Sequence, residues 1–215
     1  LGIPTVEDRV VQTALKMTLE PIFEREFSRR SYGSRPQRGP KGALKEVDQL
    51  LKQGQRWVVD ADLKSYFDTI NHDLLMEQVS EHVSDGRILA LIRSFLECEV
   101  TDKGETYSPE RGTPQGGVIS SLLANIFLNP LDHMMAEEGF EMVRYVDDFV
   151  LLCRTEQEAK EALAKVQTWV EGQRLTLHPD KTVLVNEADG SFDFLSYRFE
   201  RGNKFPSKKA KRGFL

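Results

Sequence analysis

Residues 144–150 have the sequence RYVDDFV, in which two adjacent carboxylates, Asp147 and Asp148, stand between two short apolar segments. Residues 141–146 and 149–153 each suit a strand, so the stretch predicts a hairpin with an acidic tip. Crowding like charges at such a tip costs free energy unless cations compensate for them. Two divalent ions about 4 Å apart require several carboxylates that project to one point, and this tip supplies two. The alternative is a solvent-exposed polar turn, in which Asp is also common.

A second acidic segment lies upstream, where residues 58–63 have the sequence VVDADL. In a pleated strand Asp60 and Asp62 project to the same side, opposite Val59 and Ala61. Carboxylates are depleted in apolar strands, so these two need a physical reason. Metal binding across a sheet, by one Asp of this strand and the two carboxylates of the hairpin, supplies that reason. An edge strand with one solvated face is the alternative.

Hydrophobic periods and turn residues predict how the rest of the chain is organised. The predicted helices cover residues 5–21, capped by Thr5 and Asp8 and disturbed by Pro21, then 44–51, 74–83, 87–97, 118–135, interrupted near Pro130, and a helix opened by the capping pair Thr155 and Glu158. The predicted strands cover residues 57–62, a hairpin at 99–107, the two arms of the acidic hairpin, 182–185 and 192–199. This order predicts an α+β domain, in which an antiparallel sheet is backed by helices on one face.

The composition is that of an ordinary globular protein, with 215 residues of which 40% are hydrophobic and 29% charged. No apolar run approaches the roughly 18–20 residues that a membrane-spanning helix needs, and no secretory signal is visible. The two cysteines, Cys98 and Cys153, lie far apart and have no neighbours at zinc-ligand spacing. We therefore expect unpaired thiols in a reducing compartment, the cytoplasm, and no membrane partner.

The net charge of −5 hides two basic runs, residues 28–42 and 201–212. The first holds four arginines and a lysine, the second holds two arginines and four lysines, and neither contains an acidic residue. Nucleic-acid phosphates are bound by local basic patches, whatever the net charge of the chain. The runs therefore suit a nucleic-acid partner, although a solvated face without a partner would have the same composition.

Five segments, taken in order, resemble the reverse transcriptases and, among them, the branch encoded by group II introns. YVDD at residues 145–148 resembles the Tyr-x-Asp-Asp signature, and DADLKSYFD at 60–68 resembles the first catalytic strand. The other three are LGIPT with the following residues up to Gln12, similar to the opening finger motif, GTPQGGVIS at 112–120, similar to the substrate-binding motif, and FLSYRF at 194–199, similar to the primer-grip hairpin. One such match would be weak evidence, whereas five in the expected order are strong.

The resemblance implies the fingers and palm of a right-hand polymerase. Residues 1–56 would belong to the fingers, 57–199 to the palm with some finger elements inserted, and 200–215 would lead toward a thumb outside this stretch. The implied activity is that of an RNA-directed DNA polymerase, which adds dNTPs to a primer 3′ end. A bacterial group II intron with retrohoming or maturase functions is the expected context, and reverse transcriptases associated with CRISPR systems are an alternative.

The resemblance also assigns a metal site. Asp62, Asp147 and Asp148 would hold two Mg²⁺ ions, with Mn²⁺ as a substitute, and the backbone carbonyl of Leu63 would be a further ligand. Oxygen ligands suit such hard ions. Asp60 stands two residues from the matching position and is expected to support the site without taking part in catalysis.

Further roles follow residue by residue from the same resemblance. Phe67 matches the steric gate that excludes a ribose 2′-hydroxyl, with an ordinary core Phe as the alternative. Gln115 would lie over the incoming nucleotide or the template base, and Gly116 would allow close backbone approach. Lys181 matches a lysine proposed to protonate the pyrophosphate leaving group, with a surface lysine as the alternative. Arg35 and Arg38 match a finger motif and are expected to lie near the template and the nucleotide.

Some positions depart from the family pattern: Ser34 replaces an aromatic residue, Gln37 a glycine, Ser121 a proline and Val146 an alanine. None of these changes removes a carboxylate. The expected partners are an RNA template, a DNA primer, dNTPs and intron RNA, while the sequence does not predict an oligomeric state. Two other hypotheses are a maturase that stabilises intron RNA, with polymerisation secondary, and a metal-dependent nuclease or phosphatase.

Overall fold

The computed structural model describes residues 4–102, 105–114, 116–208 and 210. The helices in these ranges are α1 Val6–Phe23, α2 Pro40–Lys52, α3 Tyr66–Thr69, α4 His72–Ser80, α5 Gly86–Leu96, α6 Ser120–Glu137 and α7 Glu156–Gly172. The strands are β1 Trp57–Asp62, β2 Val100–Asp102, β3 Glu105–Tyr107, β4 Glu141–Tyr145, β5 Asp148–Cys153, β6 Val183–Asn186, β7 Ser191–Phe194, β8 Tyr197–Glu200 and β9 Asn203–Pro206. None of these helices has both the length and the hydropathy that crossing a bilayer requires.

A four-stranded central sheet with the strand order β4-β5-β1-β6 carries the two acidic segments. Each neighbouring pair of its strands is antiparallel. Strand β5 pairs along its whole length with β1, from Cys153 opposite Trp57 to Asp148 opposite Asp62. A separate sheet has the order β7-β8-β9, and β2 pairs with β3 as the predicted hairpin. The predicted α+β class with an antiparallel sheet is confirmed.

Most apolar residues of β1, β4 and β5 are buried, on both faces of the central sheet. On one face, side chains of β1, β4 and β5 form a core with α2 and with phenylalanines of β7 and β8; the members include Leu44, Val47, Leu50, Val58, Val143, Val150, Leu152, Phe192 and Phe199. Helix α7 packs against β1, β5 and β6 and buries the stripe Ala159, Ala162, Val166 and Val170. Strand β5 is buried at five consecutive positions after Asp148, as expected of a central strand that is covered on both faces.

The chain forms two compact units, and each is assembled from segments that are distant in sequence. The first comprises residues 1–27, 65–130 and 173–175, and the second comprises 28–64, 131–172 and 176–215. The first unit contains α1, α3, α4, α5 and the β2-β3 hairpin, whereas the second contains the central sheet, α2, α7 and the β7-β8-β9 sheet. The expected division into fingers and palm at residues 56 and 57 stays a prediction.

Two helices continue through prolines that were expected to disturb or interrupt them. Helix α1 extends past Pro21 to Phe23, and α6 extends past Pro130 to Glu137. An internal proline removes one backbone hydrogen bond, a loss that the burial of an apolar helix face offsets. Phe23, just beyond the first proline, and Leu131, just beyond the second, are both buried. The expectation of an end or a break at these sites was therefore wrong.

Candidate active site

Strand pairing brings the two acidic segments of the sequence together. Asp62 is the last residue of β1 and lies directly opposite Asp148, the first residue of β5. Side chains of directly opposed residues start about 4.5–5.5 Å apart at Cβ. Because side chains alternate along a strand, Asp60 lies on the same face as Asp62 and Asp148. One end of the sheet therefore collects carboxylates from two strands on one face.

The tight turn between β4 and β5 contains Val146 and Asp147. Asp148 was expected in this turn, but it belongs to β5 and pairs with Tyr145 as well as with Asp62. Val146 has a backbone φ of 62°, in the left-handed region that β-branched residues rarely adopt. The turn thus holds Asp147 next to the paired strand ends in a backbone conformation that the surroundings must maintain.

Burial and mutual repulsion raise the pKa values of the carboxylates at this end of the sheet. Burial, followed by the charges of Asp62 and Asp147, raises the pKa of Asp148 to about 7. Burial and the charges of Asp148, Asp193 and Asp62 likewise raise the pKa of Asp60 to about 7. Burial and the charge of Asp62 raise the pKa of Asp147. A divalent cation among these groups would relieve the repulsion.

Lys181 supplies a positive charge at this end of the sheet. Its Nζ donates a hydrogen bond to Asp62, and this bond together with the charge of Asp62 raises the pKa of the lysine. The segment that carries Lys181 continues the sheet, because His178 N donates to Asp62 O at 2.8 Å and Lys64 N donates to Thr176 O at 2.8 Å. The structure therefore places Lys181 beside the proposed metal ligands, as its expected role requires.

Metal binding by these carboxylates requires a change of side-chain arrangement. Across residues 4–102, 105–114 and 116–208, no three Asp, Glu, His or Cys side chains are grouped so that they could hold an ion as they stand. Asp62 is engaged with Lys181, a partner that a bound ion would have to displace. The donor set fits Mg²⁺ or Mn²⁺, because it consists of carboxylate oxygens on adjacent strand ends. Leu63 directly follows these ligands, and it forms an isolated bridge with Leu177 that extends β1.

Next to the turn lies a buried ion pair whose residues had no predicted role. Arg144 of β4 is fully buried, and its Nε donates to Asp132 Oδ1 of α6 at 2.8 Å, while Nη2 donates to the other carboxylate oxygen. Its Nη1 donates to the carbonyl oxygen of Val146 at 2.7 Å. The sequence signal was an Arg within an apolar strand and an Asp within an apolar helix, two residues that need each other when buried.

The loop of residues 28–39 lies against β4 beside the turn. Ser31 forms a parallel bridge with Arg144, through hydrogen bonds from Arg144 N to Arg30 O and from Tyr32 N to Arg144 O. Gly33 is required there, because a Cβ at this position would lie 2.5 Å from both the backbone N and the Cγ2 of Val146. The loop therefore closes over the turn through its backbone.

Arg35 and Arg38, expected to contact template and nucleotide, make contacts within this loop. Arg35 is 7% exposed, and its guanidinium donates to the carbonyls of Ser28 and Ser31. Arg38 donates to the carbonyl of Arg29 and stacks over the ring of Tyr32 at 5.4 Å. These contacts shape the loop, and the expected contacts with substrate stay predictions.

The remaining expected site residues belong to the first compact unit. Phe67 is half-buried in α3, its ring meets the Tyr66 ring edge to face, and its carbonyl accepts a hydrogen bond from Thr113 N at 2.6 Å. Gly112 has a φ of 90°, and a Cβ there would lie 2.9 Å from the backbone of Asp68. The steric-gate segment and the substrate-binding motif are thus joined through their backbones. Gly116 is exposed in the turn that follows, and Gln115 lies outside the described residues.

Comparison with known proteins gives the following similarities. A family model described as reverse transcriptase (RNA-dependent DNA polymerase) matches residues 1–199. Protein YkfC of Escherichia coli (strain K12) is 36% identical over 240 residues, covering 94% of this chain. The group II intron-encoded protein LtrA of Lactococcus lactis subsp. cremoris is 39% identical over 137 residues, covering 64% of this chain. An apo telomerase from Candida tropicalis, truncated from its C-terminal domain, superposes with a TM-score of 0.68 at 16% identity over 92% of this chain.

The chain spans only part of each of these proteins. It matches 63% of YkfC, 23% of LtrA and 45% of the telomerase chain. The sequence identity to the telomerase is so low that this likeness concerns the fold alone.

Proposed function

Because the chain belongs to the reverse transcriptase (RNA-dependent DNA polymerase) family, we propose that it carries the catalytic fingers and palm of an RNA-directed DNA polymerase. The group II intron-encoded type, expected from the motifs, is confirmed by the similarity to LtrA. The fingers and palm fold is confirmed by the likeness to the telomerase. The proposed reaction adds dNTPs to the 3′ end of a DNA primer on an RNA template, and intron RNA is the proposed biological partner.

The observation that supports this proposal is the direct opposition of Asp62 and Asp148 across β1 and β5, with Asp147 in the adjoining turn. Nucleotidyl transfer needs closely spaced oxygen ligands from rigid elements. If the acidic tip were only a surface turn, the alternative raised by the sequence, nothing would explain why Asp62 and Asp148 lie directly opposite each other in paired strands. Like charges in that arrangement are destabilising.

In the proposed site Asp62, Asp147 and Asp148, with the backbone carbonyl of Leu63, would hold two Mg²⁺ ions. When bound, such ions activate the primer 3′-hydroxyl and stabilise the charge of the departing pyrophosphate. Asp62 and Asp148 would orient this chemistry from the ends of two paired strands, and Asp147 from the adjoining turn. Lys181 holds a proton on Nζ beside Asp62, and we assign it the role of donating that proton to the pyrophosphate.

Selection of dNTPs is assigned to the first compact unit. The half-buried ring of Phe67 is the proposed barrier to a ribose 2′-hydroxyl, and its backbone is fixed by the Thr113 hydrogen bond. Gly112, whose φ and close contact with the Asp68 backbone exclude a side chain, holds the motif against the residue that follows Phe67. Gly116 and Gln115 complete the proposed nucleotide contacts.

Primer extension on an RNA template tests the proposal, with Asp147→Ala in the full-length protein. We expect extension to fall on the order of a thousand-fold or more, because a single preorganised neutral donor already contributes about 10²–10³ in comparable charge stabilisation. Binding of the RNA template should persist. Asp48→Ala is the control, because Asp48 is paired with Lys52 one helical turn away on α2 and should extend primers as the wild type does.

Normal extension by Asp147→Ala would contradict the assigned roles. A wild-type protein that binds intron RNA tightly yet extends no primer with Mg²⁺ or Mn²⁺ would favour the maturase hypothesis instead.

A further inference from the structure

The side chain of Arg144 joins its own strand β4 to helix α6 and to the turn between β4 and β5. Two of its guanidinium nitrogens donate to the Asp132 carboxylate of α6, and the third donates to the Val146 carbonyl in the turn. Its side chain is fully buried and that of Asp132 is 3% exposed, so neither charge has solvent as a partner. A bidentate Arg–carboxylate pair fixes direction as well as distance, because the fork of the guanidinium is planar.

The Arg144–Asp132 ion pair contacts the turn that carries Asp147. Val146 precedes Asp147 and has a φ of 62°, which a β-branched residue adopts only when its surroundings impose it. The hydrogen bond from Arg144 Nη1 to the Val146 carbonyl acts on the peptide that links these two residues. Any rotation of that peptide would redirect the Asp147 side chain.

A second contact constrains the same turn from another side. The backbone of Gly33 packs so closely on Val146 that a Cβ would overlap its nitrogen and Cγ2 at 2.5 Å. The main chain of Arg144 is itself fixed by hydrogen bonds with Arg30 and Tyr32. The turn is therefore held between a buried side-chain pair and the backbone of a loop.

We propose that Asp132 and Arg144 are positioning residues, which together with Gly33 hold the Val146 turn in its left-handed conformation and thereby aim Asp147 at the metal ions of the proposed reaction. This inference rests on the proposed function. It assigns the turn geometry to groups that touch neither metal nor substrate. Groups that orient a metal ligand in this way typically contribute about 10- to 100-fold in metal affinity or activity.

The test measures Mn²⁺ binding to the full-length protein without nucleotide. The concentration of free Mn²⁺ is read from its electron paramagnetic resonance signal. Asp132→Asn keeps the size of the side chain but removes the charge that fixes Arg144, so we expect Mn²⁺ affinity to fall about 10- to 100-fold. Glu187→Gln is the matched control. Glu187 is equally buried and pairs with Arg56 at 3.4 Å in the same compact unit, but it makes no contact with the turn. This control should lose thermal stability while keeping its Mn²⁺ affinity.

Gly33→Ala provides a second variant, which leaves the buried ion pair intact and displaces the same turn from the other side. It should also weaken Mn²⁺ binding. The double variant of Asp132 and Gly33 should lose less affinity than the product of the two single effects, because both substitutions act on one turn. If Asp132→Asn fails to fold, Gly33→Ala alone decides the matter.

Equal Mn²⁺ affinity of wild type and Gly33→Ala, or a loss in Asp132→Asn no larger than in Glu187→Gln, would overturn the inference while leaving the proposed function in place. A wild-type protein that binds no Mn²⁺ would overturn both.

Discussion

The ammonium group of Lys181 lies against the carboxylate of Asp62, which is also a proposed metal ligand. The lysine side chain is 60% exposed, and an exposed ion pair of this kind contributes only about 0–1 kcal/mol to stability. Its flexible stem lets the ammonium group move without any backbone change. In the proposed site Asp62 would therefore exchange Lys181 for a divalent ion at little cost, and Lys181 would then be free to reach the leaving group.

Replacing Lys181 by Met separates the catalytic and the structural contributions of this residue. We expect kcat for primer extension to fall about 10²–10⁴-fold, the range for a lost general acid, while the free energy of unfolding changes by about 1 kcal/mol or less. Lys160→Met is the matched control, because Lys160 is also 60% exposed and is paired with a carboxylate, Glu156, on α7. Equal kcat values for the two variants would contradict the role assigned to Lys181.

The two cysteines differ in reactivity because their surroundings differ. Cys153 is buried at the end of β5, and burial followed by the charge of Glu158 raises its pKa to about 12. Cys98 is exposed. Since the thiolate is the reactive species, a thiol reagent at neutral pH should modify Cys98 alone in the native protein and both cysteines after denaturation. Quantifying released chromophore before and after adding guanidinium checks this, and rapid modification of two thiols in the native state would contradict it.

At the scale of elements, β5 organises the second compact unit. It lies between β4 and β1, and its residues from Phe149 to Cys153 are all buried. The side chains of such a strand are packed on both faces of the sheet. A cavity left by a smaller side chain there cannot be filled by movement of a surface group.

Phe149→Ala should therefore lower the free energy of unfolding by about 3–5 kcal/mol. Phe205→Ala, on the terminal strand β9 where the side chain is 48% exposed, is the control and should cost about 0.5 kcal/mol. Denaturant titration of both variants measures the difference. Similar midpoints for the two would show that β5 does not have this central role.

The sequence predicted the strands of the acidic hairpin because their short apolar runs are a strong and local signal. It did not predict β9, whose four exposed residues include a lysine and a proline and whose pairing with β8 is a tertiary contact. It also predicted breaks at Pro21 and Pro130, since local propensity carries no information about the packing that offsets a lost hydrogen bond. The carboxylates were found through their motifs, whereas Asp132 was missed because its partner Arg144 becomes a neighbour only in the folded sheet.

At the scale of the whole molecule, the charge is unevenly distributed along the chain. The net charge is −5, yet the stretch from Arg201 to Arg212 contains only basic charges. Arg201, Lys204 and Lys208 are exposed in and around β9. Such a local group can bind phosphates although the acidic remainder of the molecule repels them at long range.

Changing Arg201, Lys204 and Lys208 to Gln should weaken RNA binding and reduce its dependence on salt. For each phosphate that the variant no longer neutralises, the slope of log K against log salt concentration should become shallower by about 0.7–0.9. The control changes Lys16, Lys52 and Lys160 to Gln, since each is already paired with a carboxylate one helical turn away. Filter binding at several potassium chloride concentrations gives both slopes, and identical slopes would exclude this stretch from the interface.

The pairing of Asp62 with Asp148 also determines when the proposed catalytic site can form during synthesis. The strands that carry them are separated in the chain by α3, α4, α5, the β2-β3 hairpin, α6 and β4. Ribosomes make the chain from its amino terminus, and closing so large a loop is slow because its entropy must be lost before the pairing gains anything. A nascent polypeptide that stalls before β5 emerges lacks Asp148, so we expect premature termination to release a product without the proposed catalytic site.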